Sequence, residues 1–288
     1  MRNLDENTIT QAVLARLEHA TDERLKDIVT SLVRHLHAFA REVNLTEAEW
    51  EQGIQFLTGV GHFTDDKRQE FILLSDTLGL STLVTAMANR KPLGCTEATV
   101  FGPFFVDGAP EVSLGGDISR GATGTPCHVS GQVRSTDGSP IVGARVDVWE
   151  ADEDGLDDVQ YPDERSAGRG WLRSGADGEY RFWSVLPAPY PIPHDGPVGD
   201  LLAAASRGPM RPAHLHFMVT APGYRTLITH IFVAGDPFLG CDAVFGVKDS
   251  LVVEVDHHVA GTGSDESRRA AAWASMAFDL VLVPDSGG

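Results

Sequence analysis

Cysteine and positive charge are both scarce in this chain, and each scarcity removes a class of answers. Cys95, Cys127 and Cys241 stand far apart in 288 residues and make no CxxC pair. That spacing suggests neither a disulfide framework nor a thiolate metal site. Lys and Arg total 23 against 41 Asp and Glu, a formal net charge of −18. Such a balance repels nucleic acid and anionic membrane surfaces, though a local basic pocket for a small anionic substrate is compatible with it. No apolar run approaches membrane-spanning length, and the N-terminus MRNLDENTITQAV holds no apolar stretch of signal-peptide size. The expected compartment is the cytoplasm.

The residues that are present suffice for a large core. Hydrophobic residues make up 42% and charged residues 22%, with 30 Gly and 16 Pro, and the length allows one large or two modest domains. Between 22 and 43, Leu25, Ile28, Val29, Leu32, Val33, Leu36, Phe39, Ala40 and Val43 recur at three- and four-residue steps, the spacing of one helix face. Thr46 with Glu49 forms a capping box, and Leu45 with Trp50 has the separation of a hydrophobic staple. Further helices are expected over 67–78 and 81–89.

Past residue 125 the texture changes to short β-rich runs at 128–133, 144–149, 180–185, 214–220, 227–233 and 280–283. Turn pairs separate them, among them Asp137-Gly138, Asp154-Gly155, Asp177-Gly178 and Pro222-Gly223. Ala144, Val146 and Val148 alternate with Arg145 and Asp147, as in a half-buried strand. The expected architecture is α+β: a helical N-terminal domain over 1–95, then an all-β sandwich over 96–288. The Pro-rich stretch 187–197 reads as a shaped loop.

Two motifs carry chemistry. In Arg211-Pro-Ala-His214-Leu-His216, residues two apart on a strand point to one face, so both imidazoles can converge on one ion. Read alone, an HxH pair is common on surfaces and in cores. In Tyr190-Pro-Ile-Pro-His-Asp-Gly-Pro-Val-Gly199, prolines and glycines restrict the backbone around a single tyrosine, which aims a phenol oxygen. Read alone, this is equally a polyproline turn with a packed ring.

Together, in this order, the motifs resemble the intradiol dioxygenases, which cleave catechols. The upstream pair Val129-Ser-Gly-Gln and Val146-Asp-Val-Trp149-Glu-Ala is similar to that family's signature, and the resemblance spans nearly the whole chain. Leu73-Leu-Ser-Asp76 and the Tyr190 motif look most like the hydroxyquinol-cleaving branch. The resemblance implies one Fe(III) per subunit, held by Tyr190, His214 and His216, with Tyr190 the tyrosinate that leaves when substrate binds. It implies Arg211 as the cation beside the substrate. Leu73, Asp76, Val100, Phe101, Gly102, Pro103, Phe104, Ile192, Pro193 and Val244 would shape the pocket. His230 stands where catechol-cleaving relatives carry a glutamine and is expected beside the ligands rather than among them. An aromatic diol or triol and O2 are the implied substrates. The family also implies a homodimer through the helical domain, often enclosing a lipid.

One position departs from the family's pattern. Its second tyrosinate belongs in a segment like DxDGxYDVQ, which here reads Asp152-Glu-Asp-Gly-Leu-Asp157-Asp158-Val-Gln160, so Asp157 takes the tyrosine's place. Three outcomes are open: Asp157 binds iron directly or through water, Tyr161 swings in, or the site is impaired. Alternatives to a hydroxyquinol enzyme are therefore a catechol or chlorocatechol 1,2-dioxygenase, a low-activity variant, and a silent member that binds an aromatic ligand. An extracellular transthyretin-like module is disfavoured by the lack of a signal peptide.

Overall fold

A computed structural model describes residues 3–65, 68–90, 92, 94–102, 104–156, 158, 166–261 and 271–285. Internal contacts divide the chain into two compact units, 1–59 and 60–288. Five helices come first: α1 (Ile9–Leu17), α2 (Glu23–Glu42), α3 (Glu47–His62), α4 (Glu70–Thr77) and α5 (Leu80–Ala88). The strands follow as β1 (Pro126–Ser135), β2 (Arg145–Trp149), β3 (Arg169–Arg173), β4 (Glu179–Val185) and β5 (Tyr190–Pro191). After α6 (Pro197–Ala204) come β6 (Met210–Arg211), β7 (His214–Thr220), β8 (Leu227–Val233), β9 (Val252–Val253), β10 (Asp256–His258), β11 (Trp273–Ala277) and β12 (Leu280–Leu282).

In the first unit α2 starts where Asp22 accepts a hydrogen bond from the Leu25 N–H at 2.9 Å. The capping box forms as read: the Thr46 N–H donates to Glu49 at 2.9 Å, and the Glu49 N–H donates back to the Thr46 hydroxyl. The Thr46 N–H and the Thr46 hydroxyl, both donating to its carboxylate, hold Glu49 below the usual range. α1 and α2 are tied by the Arg41 guanidinium, which donates to the Glu6 carbonyl and the Thr10 hydroxyl. The apolar face of α2 is exposed; Leu32 and Leu36 are 59% and 57% accessible.

The second unit holds the expected sandwich. One five-stranded sheet runs β10-β11-β1-β12, with β4 also on β1; the other runs β3-β2-β7-β8-β9. Val129, Phe182, Met276 and Leu280 of the first meet Val146, Val148, Leu215 and Phe217 of the second in one core. Alternation along each strand sends every second side chain the other way. On the second sheet the outward set is Trp149, His214, His216, His230 and Phe232, and this face carries the site.

The strand at 214–220 and that at 227–233 match their expected bounds, and α4 begins at Glu70 rather than 67, where Lys67 itself lies outside the described residues. The Pro-rich stretch does contain structure. Pro197 occupies the first turn of α6, where its missing N–H has no partner to lose, and the buried Glu70 carboxylate accepts from the Val198 N–H. Among the described residues no single helix is long and apolar enough to cross a membrane; α4 and α5, bent by 78°, meet that length and composition only as a pair.

Candidate functional site

Strand register assembles the site. Trp149 of β2 pairs with His216 of β7, which pairs in turn with His230 of β8, so three rings stand in one row across the sheet. His214 and Phe232 form the next row. The Trp149 indole lies nearly parallel to the His216 ring, at 21° with centroids 4.8 Å apart, and is flanked edge-on by Phe101 and Phe105. Stacking of this kind restricts the imidazole's rotation. Gly102 lies against the same ring: a Cβ there would come within 3.0 Å of His216 Cε1, and its φ of +79° suits glycine.

The short hairpin of β5 and β6 brings in the other motif, pairing Tyr190 with Arg211. The Tyr190 hydroxyl lies 3.4 Å from His214 Nε2, and the Nε2 atoms of His214 and His216 are 3.1 Å apart. His214 Nδ1 donates to the Pro212 carbonyl at 2.7 Å, which makes Nε2, facing His216 and Tyr190, the acceptor nitrogen of the ring. Arg211 donates to that Nε2 at 2.9 Å and is itself anchored by Asp242 at 3.2 Å. The partner Asp242 sits in a loop with no sequence signal to single it out.

All of this is buried. Burial holds His214, His216 and His230 well below the usual imidazole range, with the charge of Arg211 adding to the effect, so the rings are neutral and their lone pairs available. Donor nitrogens of the three histidines lie within 4.8 Å of one another. Among the described residues, Arg211 Nη2, Trp149 Nε1 and His230 Nδ1 are buried without a hydrogen-bond partner. Buried orphans of this kind are rare in folded proteins and point to a group that completes the site. Two neutral imidazoles and a phenol oxygen suit a hard, oxygen-tolerant ion such as iron.

A cavity of about 490 Å³ is lined by Pro191, the chain neighbour of Tyr190, and by Gly155, where an added Cβ would come within 2.7 Å of the Tyr190 Cβ. Leu73, Phe104, Ile192 and Pro193, all expected to shape a pocket, line it together with Leu156 and Arg68. Val100 and Val244 are buried; the Val244 N–H donates to Asp242, and its carbonyl accepts from Thr82. Asp76 is 5% exposed, and burial raises its carboxyl above the usual range while a bond to Ser81 and the charge of Arg211 oppose the shift. Pro103, Asp157 and Tyr161 lie outside the described residues.

Comparison with known proteins agrees with the motifs. A family model described as "Catechol dioxygenase N terminus" matches residues 22–96, and one described as "Dioxygenase" matches 100–284. Hydroxyquinol 1,2-dioxygenase of Nocardioides simplex is 57% identical over 280 residues, 97% of this chain and 96% of that protein. The 6-chlorohydroxyquinol 1,2-dioxygenase of Cupriavidus pinatubonensis is also 57% identical, over 99% of each chain. The crystal structure of hydroxyquinol 1,2-dioxygenase from Pseudomonas putida DLL-E4 superposes with a TM-score of 0.90 at 45% identity, covering 97% of this chain and 99% of that one. With two family models side by side along the chain and relatives matched end to end, this protein belongs to the intradiol ring-cleaving dioxygenases and is similar to the hydroxyquinol 1,2-dioxygenases among them.

Proposed function

We propose that the protein cleaves hydroxyquinol (benzene-1,2,4-triol) with O2, between its two adjacent hydroxyls, to 3-hydroxy-cis,cis-muconate, which tautomerises to maleylacetate. The observation that carries the reading is the convergence of Tyr190, His214 and His216 beside the buried Arg211, in a chain so similar to enzymes named for this substrate.

In this reading Tyr190, His214 and His216 hold one Fe(III), and Asp157 supplies a carboxylate where the family has its other phenolate. Bound iron(III) supplies the means to activate the diol ring toward O2. The chain's own residues do the rest. The Tyr190 oxygen takes a substrate hydroxyl proton, acting as a general base within the cluster. Arg211, fixed by Asp242, presents positive charge where negative charge develops as the ring opens, and burial strengthens that interaction. Leu73, Phe104, Ile192 and Pro193 offer apolar contact to a flat ring. Asp76 offers a polar partner for the third hydroxyl, which catechol lacks.

The same reading makes 1–95 a dimerisation domain and 96–288 the catalytic domain, in a cytoplasmic homodimer. The seam between the two family models, 96 to 100, supports that division, and the exposed apolar face of α2 supports the dimer. A lipid at the interface is proposed on the family resemblance.

Oxygen uptake by the purified, iron-loaded protein tests the proposal. Uptake with hydroxyquinol should exceed that with catechol by about 10-fold or more, because a substrate without the third hydroxyl leaves its buried polar partner unpaired. Catechol turning over as fast as hydroxyquinol would overturn the specificity, and no uptake with either would overturn the activity.

A further inference from the structure

His214 and His216 are oriented by different means. His214 Nδ1 donates to a backbone carbonyl, that of Pro212, at 2.7 Å. A backbone acceptor does not change with side-chain substitution. His216 has no such anchor: its Nδ1 faces His230 Nε2 at 2.8 Å, between adjacent strands in direct register. The two rings stand at 90° with centroids 4.1 Å apart, and His230 is fully buried.

Two proton arrangements fit this contact. In one, His230 donates from Nε2, so His216 accepts at Nδ1 and carries its proton on Nε2, where that atom meets His214. An Nε2–H cannot bind a metal ion. In the other, His216 donates from Nδ1 to His230 and keeps on Nε2, the atom that faces His214 Nε2, a lone pair that could bind a metal ion. His230 then carries its proton on Nδ1, the atom that is buried without a partner among the described residues.

We infer that His230 is a positioning residue whose Nε2 acceptor selects the metal-binding tautomer of His216. The inference rests on the iron site proposed above. It predicts that what matters at position 230 is an acceptor aimed at His216 Nδ1, not imidazole itself. His230 then acts through His216 and is not itself a ligand, although its nitrogens lie near those of the other two histidines.

Two full-length variants separate these roles. His230→Gln keeps an acceptor in its amide oxygen, whereas His230→Leu removes it and leaves an apolar group of similar bulk. Iron(III) retention is measured against EDTA, per folded molecule, together with thermal unfolding of the iron-free proteins. His230→Leu should hold iron about 10- to 100-fold less tightly, the usual loss when the partner of a ligating histidine is removed, and His230→Gln should stay near the parent. Electron spin-echo spectroscopy should count two bound imidazoles in the parent and in His230→Gln. Parent-like iron affinity in His230→Leu, or loss in His230→Gln equal to that in His230→Leu, would overturn the inference. So would a third bound imidazole in the parent that disappears in His230→Gln. A parent protein that binds no iron would instead defeat the site reading on which this inference depends.

Discussion

Glu150 follows the tryptophan that stacks on His216, but its side chain points to other company. It is 2% exposed; one carboxylate oxygen accepts from the Ser184 hydroxyl and from the Val185 N–H at 3.3 Å, and the other has no partner among the described residues. Burial pushes this carboxyl up to about 8, and the nearby Asp117 and Asp152 add to the rise. Between the ordinary carboxylate value of 4.5 and about 8, the folded protein holds a proton that the unfolded chain has lost. Stability therefore falls as pH rises through that window, by at most about 1.4 kcal/mol per pH unit. Glu150→Gln removes the dependence: denaturant midpoints should match the parent near pH 5 and exceed it near pH 8. Equal midpoints at both would mean that Glu150 ionises in the folded state without cost.

At the scale of elements, β3 does more than extend a sheet. Arg169, at its first position, is 3% exposed; its Nε donates to Asp158 at 2.6 Å, and its Nη1 donates to the Phe104 carbonyl at 3.0 Å. Asp158 also accepts from the Ala167 N–H. One guanidinium thus ties the strand to the segment after β2 and to the wall of the 490 Å³ cavity. Arg169→Met leaves a carboxylate buried and unpaired, and should destabilise the protein by about 3–5 kcal/mol in denaturant unfolding. The double change Arg169→Met with Asp158→Leu should recover a large share of that loss, because no lone charge is left behind. A loss under 1 kcal/mol in the single variant would show that water reaches Asp158.

Over the whole molecule, the apolar face of α2 is the longest run of exposed hydrophobic side chains along one described helix. Leu25, Ile28, Leu32, Leu36, Phe39 and Val43 are each about half exposed along one stripe, far more contiguous apolar surface than a solvated helix ordinarily shows. If this stripe is the dimer contact, Leu32→Lys with Leu36→Lys places like charges across a two-fold axis. Sedimentation should then show monomers where the parent sediments as a dimer, with far-ultraviolet circular dichroism unchanged. A dimer surviving both lysines would move the interface elsewhere.

Local pattern was legible in the residues because it needs only neighbours. The three- and four-residue stripe of α2, the Thr46–Glu49 cap and the strands at 214–220 and 227–233 all follow from short-range periodicity, and all formed; β2 formed too, but buried on both faces rather than one, with Asp147 nearly as covered as Val146. The HxH spacing placed two imidazoles on one face for the same reason. Elements with weak or mixed patterns escaped: β3 reads Arg-Gly-Trp-Leu-Arg, β11 is built largely of small residues, and α6 hides behind a proline that starts it rather than excluding it. Residues distant in the chain were joined only by tertiary structure. The sequence determined that Tyr190, Arg211, His214 and His216 are available; strand register alone decided that Trp149 and His230 flank His216, and loop closure alone that Asp242 anchors Arg211. Those pairings depend on which strands lie side by side, a choice made by burying the two sheets against each other, and no local spacing encodes it.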